Sequence, residues 1–281
     1  MPIYLPLIVL ASSAWVGYVG PSGRLEQQLR HSFVAFFEWF GELGIFCGRL
    51  LHSAFAPPFE GRELIRQMDI VGSRSLPLVA LAGAATGVVM SLQMRDSLTR
   101  FGGKAMLPAV IVFSLLKETG PMITGLVLSG RVGAGIGAEL GSMKVTEQID
   151  AMEASAVDPH RFLVATRVLA CIAMLPLLTL AADFCGIIMG WVANTLVEPI
   201  SFRLFLNNGF KNVDFNDFLL PTFKTAVFGC IIGVIACFQG IRTKGGTEGV
   251  GRSATSSVVL SSLFIILADV VLVRIILTFF S

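Results

Sequence analysis

The chain has 281 residues, of which 54% are hydrophobic and 14% charged, with a mean hydropathy of +0.77. A soluble protein carries roughly 25% charged residues, so a soluble enzyme, a disordered chain, a collagen-like repeat and a disulfide scaffold are all excluded in favour of a polytopic membrane protein. The net charge of +2 is too balanced for a nucleic-acid partner.

Residues 2–23 carry no charged side chain, and Ile3 to Val19 are mostly apolar. This stretch lacks the basic start of a secretory signal. A sixth span and an interfacial segment both fit it, so residues 1–22 stand apart as an apolar N-terminal segment. Next, Phe33, Phe36, Phe37, Phe40, Cys47, Leu50 and Leu51 follow helical spacing, with Glu38, Glu42, Arg49 and His52 among them. The pattern predicts an amphipathic helix in the membrane interface within residues 23–73. A helix buried against a bundle is the alternative.

A spanning helix needs about 20 mostly apolar residues. Ser75 to Met94 has no charge between Arg74 and Arg95. Ala105 to Gly130 is interrupted only by Lys117 and Glu118, and it has room to continue past Arg131. Val168 to Val197 contains Asp183 alone, and Thr225 to Ile241 contains no charge. Ser253 to the C-terminus carries Asp269 and Arg274. This predicts five spans, with residues 74–281 as the membrane core. With the N-terminal side in the cytoplasm, 12 Lys and Arg residues fall inside and six outside, with Lys117, Arg131 and Lys224 at or within spans. The positive-inside rule favours that orientation.

Gly133, Gly137 and Gly141 recur every fourth residue, a side-chain-free stripe where another helix backbone can approach. Residues 246–253, GTEGVGRS, have the spacing of a phosphate loop with Arg252 in place of Lys. No soluble α/β domain surrounds them, so a flexible cytoplasmic turn is expected instead. His31, His52 and His160 are isolated and no nucleophile elbow is present, so neither a metal site nor a catalytic residue is expected. The five cysteines form no C-x-x-C pair and read as buried thiols.

Charges at membrane depth are costly and face a cavity or a partner. Lys117 and Glu118 precede Gly120 and Pro121, where a helix kinks. The two charges either line a path for an amphiphile or lock neighbouring helices together. The same alternatives hold for Asp183 and Asp269. Between the second and third spans, Val145, Ile149 and Met152 share one face of a short helix over Thr146–Glu153. Such a helix suits docking into a soluble partner, and a solvated loop is the alternative. Asp158-Pro159 reads as a stop before the third span.

The run LLKETGPMITGLVLSGRVGAGIGAELGSMKVTEQIDAMEASAVDPHRFLVATRVLA, Leu115 to Ala170, closely resembles the MlaE/YrbE family of ABC transporter permeases. GIRTKGGTEGVGRSAT, Gly240 to Thr255, resembles the family's second cytoplasmic turn, and the family's ELGP is Glu118-Thr119-Gly120-Pro121 here. The resemblance runs from about Ser75 to the C-terminus. It implies an all-α polytopic protein with about five transmembrane helices, a preceding interfacial helix and a short cytoplasmic coupling helix. It implies a homodimer of a lipid transporter permease in the bacterial inner membrane rather than the plastid inner envelope. The implied partners are two copies of a cytoplasmic ABC ATPase, an MCE-domain periplasmic protein and phospholipid, with ATP and Mg bound by the ATPase and no cofactor in this chain. The coupling helix maps onto Lys144, Thr146, Glu147, Gln148, Asp150 and Glu153. The lipid path maps onto Lys117 and Glu118, with Asp269 expected beside it and the cavity lined partly by the second and fifth spans. An ion-coupled carrier or a membrane-embedded lipid-modifying enzyme would have to rely on Glu118, Asp183 and Asp269 instead.

Overall fold

A computed structural model of the chain describes residues 37–50, 61–211 and 213–280. The expected apolar segment 1–22 lies outside them. Two units are present, Met1–Phe55 and Ala56–Ser281. In the first, residues 37–50 are helical (α1). Trp39, Phe46 and Leu50 are its buried residues, while Phe37, Phe40 and Ile45 are exposed. The helix is therefore amphipathic, but Phe37 and Phe40 lie off its buried face. Phe33, Phe36, Leu51 and His52 fall outside the described residues.

The second unit is all helical among the described residues. Five helices in it are long and apolar enough to cross a membrane: Gly61–Arg100, Lys104–Val145, His160–Thr195, Phe215–Ile241 and Gly246–Thr278. The first comprises α2 (Gly61–Val71) and α3 (Leu76–Arg100), joined by a turn at residues 72–75. The second comprises α4 (Leu107–Ser114), α5 (Gly120–Leu128) and α6 (Ala134–Val145), joined by π-helical turns at Leu115–Thr119 and Ser129–Gly133. The short α7 (Gln148–Ala154) leads to the third span, mostly α8 (Thr166–Thr195). At the opposite end α9 (Phe202–Phe210) precedes α10 (Phe215–Ile241), and α11 (Gly246–Phe280) is last.

All five spans begin earlier than the expected bounds, the second by a single residue, and several run past charges at which a bound was expected. Three charges at or near the expected bounds find partners inside the bundle. Arg131 continues the second span because its guanidinium donates to Ser75 Oγ. Arg167 lies within the third span, 2% exposed, paired with Glu139 at 2.9 Å and donating to Leu163 O. Lys224 sits well inside the fourth. The GTEGVGRS segment is also different from expectation. It forms the first turns of α11, and the connection itself is residues 242–245, helped by positive φ at Gly245 and Gly246.

Lipid gives apolar helices little reason to associate, so close backbone approach and polar contacts must hold the bundle. The tightest approach joins α3 to α8. A Cβ at Gly83 would meet the backbone of Ala182, and one at Gly87 would meet the backbone of Gly186. The Gly133, Gly137 and Gly141 stripe faces the last two spans and the connection between them. Gly133 lies against Ile232, Gly137 against Ser257, and Gly141 against Thr243. Ser253 Oγ donates to Gly137 O at 3.0 Å. At the other end α9 buries Phe205 with Leu107, Ile111 and Val112 of α4.

Candidate functional site

The second, fourth and fifth spans bring five charged side chains together. Asp217 begins α10, where it closes a capping box with Asp214. One of its oxygens accepts from the Asp214 N–H at 3.3 Å, and the other pairs with Lys117 at 2.7 Å. Lys117 also lies 4.3 Å from the centre of the Phe113 ring, a cation–π distance. Two helical turns on, about 10 Å along the axis, Lys224 lies between two acids. Its Nζ is 3.2 Å from Glu118 Oε2 and 2.9 Å from Asp269 Oδ1.

Lys117 and Glu118 are neighbours in sequence but do not pair with each other. Their partners are instead Asp217 and Lys224, both on the fourth span. The reason is local. The chain turns π-helically over Leu115–Thr119, and consecutive residues on a helix do not face each other. The network is also unevenly exposed. The Lys224 side chain is 1% exposed and Asp269 11%, whereas Glu118 is 48% exposed. It is therefore anchored inside the bundle and opens at Glu118 onto the surface of the subunit.

Sequence reasoning named Lys117, Glu118 and Asp269 but missed Lys224 and Asp217. In the sequence Lys224 counts only as a charge at or within a span, because the uninterrupted apolar run begins after it. The available signal was Pro221 to Thr225, where lysine follows Phe-Leu-Leu-Pro-Thr-Phe with no second charge. Asp183 does not join the network. It is 3% exposed, its Oδ1 lacks a hydrogen-bond partner, and it lies against Gly120, where any Cβ would collide with it.

At the other end of the second span, α6 ends at Val145 and the chain turns through Glu147, whose φ is 58°. This left-handed residue lets α7 fold back on α6 with Ile149 buried. Val145 and Met152 are half-buried beside it, so the apolar face read from the sequence points inward. Thr146, Glu147, Gln148, Asp150 and Glu153 are all exposed. Lys144 is half-buried and pairs with Asp150 at 2.6 Å. The helix is thus held by its apolar face while its polar face is displayed. It spans Gln148–Ala154, slightly later than the expected Thr146–Glu153.

No group of His, Cys, Asp and Glu among the described residues is arranged to hold a metal ion. All five cysteines are unbridged. Cys171 and Cys237 are buried, and Cys47, Cys185 and Cys230 are half-buried rather than fully enclosed.

Comparison with known proteins decides the family. The profile described as Permease MlaE matches residues 64–275. The chain belongs to the MlaE permease family. A probable ABC transporter permease protein of Rickettsia felis is 35% identical over 236 residues, covering 84% of this chain and 91% of that protein. One of Synechocystis is 34% identical over 240 residues, covering 85% and 91%. The chloroplast protein trigalactosyldiacylglycerol 1 of Arabidopsis thaliana is 32% identical over 228 residues, covering 81% and 65%. This MlaE-type chain is a multi-pass membrane permease, a transport subunit with five long apolar helices among its described residues.

Proposed function

We propose that the chain is the membrane subunit of an ATP-driven lipid transporter, working as a homodimer in a bacterial inner membrane. A cytoplasmic ABC ATPase, two copies per dimer, docks on the polar face of α7 and holds the ATP and Mg. Phospholipid or a related lipid passes between the membrane and an MCE-domain partner on the far side. The observation that carries this reading is the second span itself. One helical run, Lys104–Val145, carries Lys117 and Glu118 towards one end and leads straight into α7 at the other. From Glu118 to Thr146 is about 40 Å of helix, interrupted by two π-helical turns. Such turns are frequent at functional sites. Displacement of α7 by the ATPase is transmitted along this rod to the ion network.

Two further facts support the lipid and dimer parts. Glu118 is 48% exposed while Lys224 and Asp269 beside it are buried, and in the proposed dimer a second copy closes a cavity over it. The plastid relative bears the name of a glycolipid, trigalactosyldiacylglycerol.

The docking surface has a direct test. Changing Glu147→Lys together with Asp150→Lys reverses the charge of the displayed face and sets Asp150→Lys against Lys144. Co-purified ATPase per permease is expected to fall at least about tenfold, as for the loss of charge-assisted contacts. Normal co-purification rules out α7 as the dock. Glu147→Gly serves as the partner experiment, because glycine keeps the left-handed turn while removing the carboxylate. For the path, Glu118→Ala is expected to slow lipid transport while dimer and ATPase still co-purify. Wild-type transport rates in that variant remove Glu118 from the path.

A further inference from the structure

The ends of the first three spans remote from α7 enclose a pocket of about 260 Å³, lined by Arg95, Lys104, Asn194 and Glu198 with Leu98 and Ile200. It lies outside the ion network and uses none of its residues. Arg95 Nη2 is 3.0 Å from Glu198 Oε2, and Lys104 Nζ is 3.8 Å from the same oxygen. Two cations therefore share one carboxylate, leaving a surplus of one positive charge. The neighbouring Asp96 does not offset it, because it pairs with Arg100 at 2.9 Å.

Asn194 adds a second, independent sign. It is 1% exposed, and its Oδ1 accepts from Arg95 Nη1 at 2.9 Å. That bond fixes which way the amide is turned. Nδ2 is left as a buried donor with no hydrogen-bond partner. An unmatched buried donor is costly, and beside a net positive charge the group that satisfies both is an anionic oxygen. The pocket's surroundings indicate where that oxygen comes from. Phe101, Met106, Leu196 and Val197 flank it in sequence at the span ends, and all are exposed. Apolar side chains beside a cationic pocket at the end of a membrane span match an amphiphile with a singly charged head.

We propose that this pocket holds the phosphodiester of a phospholipid headgroup from the adjoining leaflet, with its acyl chains against Phe101, Met106, Leu196 and Val197. Lys104 and the Asn194 amide donate to the phosphate oxygens, and Arg95 holds the amide in place. The site clamps the outer ends of the first three spans. It does not depend on the chain's being a lipid transporter.

The experiment is thermal unfolding of the detergent-purified full chain titrated with dioctanoyl phosphatidylglycerol. Inorganic phosphate and uncharged dioctanoylglycerol serve as comparisons. The wild type is expected to show a saturable rise in Tm with the phospholipid alone. Asn194→Asp keeps an oxygen for Arg95 but replaces the orphan donor with an acceptor, and Lys104→Gln removes an exposed cation. Both preserve the local packing, and each is expected to weaken half-saturation at least about tenfold. Arg66→Gln, an exposed change on α2 outside both the pocket and the ion network, is expected to leave half-saturation unchanged. Equal stabilisation by inorganic phosphate would assign the pocket to a free anion and overturn the lipid. Equal stabilisation by dioctanoylglycerol, unchanged half-saturation in both pocket variants, or loss in Arg66→Gln alone would overturn the pocket.

Discussion

Lys224→Met is expected to be the most damaging single change in the membrane core, lowering stability by about 3–5 kcal/mol. The lysine is buried to 1% exposure between Glu118 and Asp269. Methionine matches its length, so packing is largely kept and the cost is electrostatic. Asp269, at 11% exposure, is left as a carboxylate at membrane depth with no cation within reach among its described contacts. Glu118 suffers less, because at 48% exposure it remains in contact with the surroundings of the subunit. The comparison that isolates the pair is Lys224→Met with Asp269→Asn. Removing both charges is expected to recover most of the loss, to within about 1–2 kcal/mol, since a buried pair as a unit adds little net stability. Thermal unfolding of the purified subunit measures all three. A Tm for Lys224→Met equal to wild type, or no recovery in the double variant, means that the pair does not hold the fourth and fifth spans together.

Gly87→Leu should separate the first span from the third. Even an alanine Cβ at Gly87 would overlap the carbonyl of Gly186, and backbone cannot step aside as a side-chain tip can. Overpacking costs about 1–3 kcal/mol in well-packed interiors, so Gly87→Ala already lowers stability and leucine does so further. Gly83 meets Ala182 one turn earlier, so the two helices must part along their length rather than at one point. Gly135 supplies the contrast. A Cβ there meets nothing within 4 Å. Gly135→Ala is therefore expected to be neutral or stabilising by up to about 1 kcal/mol through helix propensity. The order of unfolding temperatures in the isolated subunit checks this, with Gly135→Ala at or above wild type, Gly87→Ala below and Gly87→Leu lowest. Equal temperatures for the two alanine variants would mean that the close approach carries no energy.

These two cases also divide what could be read early from what could not. The stripe of Gly133, Gly137 and Gly141 is visible in the chain because three glycines recur at a fixed interval. Gly83 and Gly87 have the same spacing, as do Gly186 and Gly190, but each pair looks ordinary until the other lies against it. The docking helix is legible in both its apolar face and its exposed charges, because amphipathic periodicity is a local property. Its left-handed entry at Glu147 is not, since a glutamate gives no local reason to adopt φ of 58°. That conformation is imposed by the burial of Ile149.

Composition and hydrophobic run lengths by themselves determined that the chain is a helical membrane protein, with five spans after residue 74. The long motif from Leu115 to Ala170 placed it among the permeases. Both conclusions rest on one-dimensional quantities, the length of an apolar run and the order of residues. The tertiary structure alone decided who pairs with whom. Lys117 turned away from its neighbour Glu118 to Asp217, and Glu118 found Lys224. Arg167 left the expected loop for the interior beside Glu139. Arg95 and Lys104 converged on Glu198. The physical reason is common to all of them. In a low-dielectric bundle a charge is tolerated only where a partner meets it, and those partners come from helices distant in sequence.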